Sequence, residues 1–167
     1  MKHLFLSFLL TVAAPAAAQQ PPLHDPLLDN LTGTWVITGR IGREATTHDL
    51  HAEWVLDHHY LRLHEVSRER DDTGRPRYEA DVHVGWNPDR HSYGCVWLDV
   101  FGGLTTESVG MAPRAGDRLA FAFERDGQIT LRNLMVWHAD SRTWDWTIVN
   151  VDHGRETVFA TLVLRRP

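Results

Sequence analysis

From Thr32 onward the sequence alternates apolar and polar residues with a period of two, about ten times over, between turn signals only a few residues long. That period belongs to a strand, whose successive side chains point to opposite faces, and no segment carries the 3.6-residue period of a long amphipathic helix. In TWVITGRI, Trp35, Ile37 and Ile41 fall on one face and Thr34, Thr38 and Arg40 on the other. HDLHAEWVL sets Leu50, Ala52, Trp54 and Leu56 against Asp49, His51 and Glu53, and YLRLHEV sets Tyr60, Arg62 and His64 against Leu61 and Leu63. YEADVHVGW sets Tyr78, Ala80, Val82, Val84 and Trp86 against Glu79, Asp81 and His83, and SYGCVWLDVF follows the turn NPDRH. Beyond Gly102-Gly103, weaker strands are expected near 105–111 and 118–124, and stronger ones over 129–138, 143–151 and 157–165. Turns such as DDTGRPR, RDGQ and DHGR hold Asp, Gly and Pro, each of which favours turn backbone for its own reason. Strands joined by hairpin-length turns make an antiparallel meander, and closing it into a barrel removes the exposed edges. The expected fold is all-β: a closed antiparallel barrel of about ten strands over residues 32–167.

The N-terminus reads differently. MKHLFLSFLLTVAAPAAA has a basic start at Lys2, an apolar run over 4–12 and small residues before Ala18, the pattern of a signal peptide cleaved after Ala18. The apolar run falls short of the ~20 residues of a membrane-spanning helix, and no later run is longer. A periplasmic or secreted bacterial protein is expected. Residues 19–31 form a Pro-bearing lead and a short helix, with Asp25 as cap, Pro26 in the first position and Leu27, Leu28 and Leu31 on one side. The 167 residues less the 18 of the signal leave 149, enough for one domain with a real core. Cys95 is the only cysteine, which excludes an internal disulfide. The 17 basic residues less Lys2 leave 16 arginines against 22 acids, a formal charge of −6 that argues against nucleic acid or an anionic membrane as partner.

The residues also carry a resemblance. Gly33-Thr34-Trp35 on the first strand, preceded by a short helix, resembles the opening of the lipocalin and fatty-acid-binding group. The resemblance implies that Trp35 seals the closed end of the barrel and that an arginine of the last strand lies across it, Arg165 or Arg166 in LVLRR. Residues 27–166 as a whole resemble a bacterial lipocalin-like (calycin) family of unknown function, DUF1579-like, through the GTW start, the segment YEADVHVGWNPDRHSYGCVWLD and the final strand ending in Arg. No substrate, cofactor or catalytic residue comes with that likeness.

Candidate chemistry is sparse. His48 and His51 lie three apart on a strand and so face opposite sides, and His58 and His59 are adjacent, so no metal site is expected. The shared faces of Asp49, His51 and Glu53, and of Glu79, Asp81 and His83, lie opposite apolar ones and are expected in solvent. There is no Gly-x-Ser-x-Gly elbow, no phosphate loop and no cofactor motif, and a lone Cys95 in mid-strand reads as a small core residue, so no catalytic residue is assigned. The seven tryptophans are the stronger signal. Core packing and ligand lining draw on the same residue types. Polar residues sharing a face with aromatics must be hydrogen-bonded or face a wet cavity, which favours a binding barrel. The expected ligand-lining set is Trp54, Tyr60, Arg62, His64, Tyr78, Trp97, Asp99, Asn133, Met135, Trp137, Trp146 and Asn150. Arg62 is expected to meet an anionic end of a small apolar or amphipathic molecule by paired hydrogen bonds. Two alternatives stay open: an enzyme with His64 and Asp99 as an acid/base pair, and an envelope interaction protein with a solid core.

Overall fold

The described residues of the computed structural model, 20–167, form ten strands closed into one antiparallel barrel, with a single helical turn at the start. The expected signal peptide lies outside the described residues. In chain order the elements are α1 (Pro26–Asp29), β1 (Gly33–Ile41), β2 (Glu44–Val55), β3 (Tyr60–Ser67), β4 (Glu79–Asn87), β5 (Ser92–Asp99), β6 (Val109–Pro113), β7 (Arg118–Arg125), β8 (Gln128–His138), β9 (Thr143–Asp152) and β10 (Arg155–Arg165). Each strand pairs with its sequence neighbours, and β10 returns to β1 with Val36 opposite Arg165 and Ile41 opposite Ala160. The weak strand expected at 105–111 begins at Val109, because Thr106–Ser108 is a 3-10 turn. No helix of the described residues is long and apolar enough to cross a membrane.

The alternation places Trp35, Ile37, Leu50, Ala52, Leu61, Ala80, Val82, Val84, Tyr93, Cys95, Leu119 and Phe121 inside the barrel. One end is sealed. Asp25 caps α1 by accepting from the backbone N–H groups of Leu27 (2.9 Å) and Leu28 (3.3 Å), and its other oxygen takes the Tyr93 hydroxyl (2.7 Å) and the Arg114 guanidinium (2.9 Å). One buried carboxylate thus fixes the helix to β5 and to the β6–β7 turn, and burial beside it pushes the Tyr93 hydroxyl up. The helix and the turn that follows it lay Leu28 and Leu31, both fully buried, over the barrel end.

Trp35 completes the seal. Its indole N–H donates to the Leu31 carbonyl (2.7 Å), its ring meets Trp137 edge-on at 6.4 Å, and the Arg166 guanidinium carbon stands 3.6 Å from its ring centroid. The covering arginine is therefore Arg166. Arg165 sits on the outward parity of β10, between inward Leu164 and Arg166, and is exposed. The glycine of the GTW step has a steric cause: Gly33 has φ +96°, and a Cβ there would come within 2.6 Å of Arg166 Nη1.

Candidate functional site

At the other end the barrel stays open. The hairpins β1–β2, β7–β8 and β9–β10, with the longer β3–β4 and β5–β6 connections, ring a cavity of about 680 Å³, within the ordinary range for small-molecule sites. Its walls are Trp97, Tyr78, Phe123, Trp146, Ile148 and Leu162, and Phe101 and Leu104 stand exposed on its rim. A void of about 20 Å³ continues beneath it between Leu50, Val84, Leu119 and Met135, room for about one water molecule.

The floor is polar. His48 and Glu65, 2% and 3% exposed, meet through Nδ1 and Oε1 on the inward faces of β2 and β3. His48 Nε2 lies 2.7 Å from the Thr46 hydroxyl, which in turn donates to Glu69 Oε2 (3.1 Å), and the Thr47 N–H donates to Glu69 Oε1 (2.9 Å). Burial alone would raise the Glu69 carboxyl, but these donors outweigh it and hold it below its usual value. Both ring nitrogens of His48 are thus engaged by protein groups. The Tyr78 ring stacks on His48 at 5.7 Å and reaches Phe101 at 6.1 Å. Its hydroxyl accepts from the Trp97 indole (3.0 Å), and burial pushes its ionisation far up, so it stays a neutral donor. Across the cavity the Trp146 indole N–H donates to Asn133 Oδ1. An indole nitrogen can only donate, so this contact fixes the amide orientation and leaves the Asn133 NH₂ group without a protein partner among the described residues.

Of the expected lining residues, Tyr78, Trp97, Asp99, Asn133, Trp146 and Asn150 do meet around the cavity, and Met135 lines the void below. Trp137 packs at the sealed end against Trp35 and Trp144. Trp54 stacks on His58 at 4.2 Å, and its indole donates to Asp29 (2.9 Å), away from the cavity.

Trp54 and Trp137 are thus corrections to the expected lining, and three further residues are as well. Tyr60, Arg62 and His64 point outward, because Leu61, Leu63, Glu65 and Ser67 take the interior of β3. Tyr60 covers Gly85 on the adjacent strand, where a Cβ would come within 2.7 Å of its ring. Arg62 is clamped to Asp81 by Nε at 2.9 Å and Nη2 at 2.5 Å, with Glu53 at 3.5 Å, and His64 pairs with Glu79 at 2.9 Å. Arg62 therefore meets no ligand in the cavity, and His64 cannot meet Asp99, which faces inward. The faces of Asp49, His51 and Glu53, and of Glu79, Asp81 and His83, are outward as expected.

The sequence reading missed His48, Glu65, Ser67, Glu69 and Phe101. Parity was the available signal for the first three, since His48 continues the face of Leu50 and Ala52, and Glu65 and Ser67 continue that of Leu61 and Leu63. Cys95 is the small core residue expected, its thiol pushed up to about 12 by burial. Comparison of the chain with protein-family models and with curated proteins finds no match.

Proposed function

We propose that this chain is a secreted or periplasmic, lipocalin-like barrel protein that binds a small, largely apolar molecule in its cavity. One observation carries the reading: an open space of about 680 Å³ persists in a barrel whose opposite end is closely packed, and aromatic and aliphatic side chains wall it. A chain selected only for stability gains by filling such a space, since a cavity forfeits the contacts of every side chain around it. The free donors of Tyr78 and Asn133 and the His48–Glu65 pair supply the few placed polar groups that orient a ligand in an apolar pocket. The test is titration with a neutral aromatic probe, N-phenyl-1-naphthylamine. Saturable one-to-one binding with quenching of the indoles at Trp97 and Trp146 is expected; absence of saturable binding up to the probe's solubility refutes it. The exported state is checked by N-terminal sequencing of protein from the cell envelope, which should begin at Gln19.

A further inference from the structure

The charge around the cavity is one-sided. Five carboxylates line it, Glu44, Glu65, Glu69, Asp99 and Glu107, against one guanidinium, Arg77, which is exposed at the rim with its Nε turned to the Arg70 carbonyl, and one imidazole, that of His48, which is bound to a single oxygen of Glu65. Three of the five are engaged by the protein itself: Glu69 by Thr46 and Thr47, Asp99 by the Phe101 N–H (2.9 Å), and Glu107 by Arg125 and the Thr130 hydroxyl. Glu65 differs. It is 3% exposed, His48 takes one of its oxygens, and the other has no hydrogen-bond partner among the described residues. Glu65 borders both the cavity and the void beneath it, and its second oxygen is not among the side-chain atoms shut away from solvent without a partner, so a donor brought into the cavity can reach it.

We propose that the cavity takes an amphipathic organic cation, a protonated amine whose N–H donates to the unpartnered oxygen of Glu65 while its apolar body lies against the aromatic walls. This rests on the ligand-binding reading above and specifies its substrate class. A bond from a charged donor to a carboxylate is shorter and stronger than one from a neutral donor. The faces of Tyr78, Trp97 and Trp146 add attraction for a cation. An anionic head would instead be desolvated beside Glu65 with no arginine or lysine on the floor to receive it, a like-charge juxtaposition that discriminates strongly against it. The Asn133 NH₂ group, turned to the cavity by Trp146, can serve an oxygen near the ligand's nitrogen.

The test compares three heads on one tail by calorimetric titration at neutral pH: decylammonium, decanol and decanoate. Decylammonium should bind roughly tenfold or more tighter than decanol, as a charge-assisted bond implies, and decanoate should bind most weakly. In Glu65→Gln the ratio of decylammonium to decanol affinity should fall to about one. Decanoate or decanol binding as tightly as decylammonium to the wild type overturns the cation assignment and leaves the ligand-binding reading standing. Failure of all three to bind removes both. If Glu65→Gln does not fold, the wild-type ranking still decides the class; if it folds and keeps the preference, Glu65 is not the contact.

Discussion

Replacing Trp35 separates a sealed barrel end from an ordinary core position. The indole is fully buried, and three contacts depend on it: the N–H to the Leu31 carbonyl at 2.7 Å, the edge contact with Trp137, and the face under Arg166. Truncating a large buried aromatic costs about 3 to 5 kcal/mol. Trp35→Ala belongs at the top of that range, since it also orphans the Leu31 carbonyl, a loss of about 1 to 3 kcal/mol by itself. For a domain of this size, about 5 kcal/mol lowers Tm by roughly 10 to 20 °C. The arginine's share comes from a double-mutant cycle of Trp35→Leu and Arg166→Met, read by urea unfolding followed by circular dichroism, because the mutated indole would alter a fluorescence signal. Arg166 also donates to the carbonyls of Thr34 (3.3 Å) and Asn30 (3.5 Å), contacts that do not involve the indole and so cancel in the cycle. Partial burial lowers the guanidinium's pKa, but Arg166 remains exposed to solvent, which puts the pair toward the exposed end of the cation–π range, a coupling of about 0.5 to 1 kcal/mol. A Trp35→Ala midpoint equal to wild type refutes the sealing role. A coupling within error of zero refutes the stacking while leaving the seal.

Arg62→Leu removes a half-buried ion pair on the solvent-facing side of the sheet, so stability should change by about 1 kcal/mol or less and the affinity for any cavity ligand should not change; a loss of binding would return Arg62 to the interior. In the β3–β4 connection, Asp71 accepts from the Thr73 hydroxyl and from the N–H groups of Thr73 and Arg75, which hold its carboxyl at about 2, below its ordinary 3.8. With the folded value depressed, its contribution is present above pH 3.8 and lost as pH falls toward 2. A carboxyl titration by NMR should therefore show a midpoint near 2 for Asp71, and a midpoint at 3.8 refutes this loop geometry.

Where one face of a strand was apolar throughout and the other charged, parity alone placed every residue, as in β4, where Ala80, Val82 and Val84 face in and Glu79, Asp81 and His83 face out. In β3 both faces mix large and polar side chains. The outward face is marked by the Tyr60 ring lying on Gly85, a contact 25 residues distant that no local pattern encodes. His48 was concealed by His51, which drew attention to a metal pair that strand geometry forbids, when the same geometry continued the inward face of Leu50 and Ala52 to His48. Phe101 lies in a connection, where no period exists to read. Because the side-chain period of a strand is two, choosing the wrong face exchanges every charge on it at once. On β3 that exchange put Arg62 inside and Glu65 outside, and so reversed the charge expected of the ligand. The barrel itself survives such an error, since closure depends only on there being an alternation in each strand, whereas the chemistry of the cavity depends on which half of each alternation turns inward.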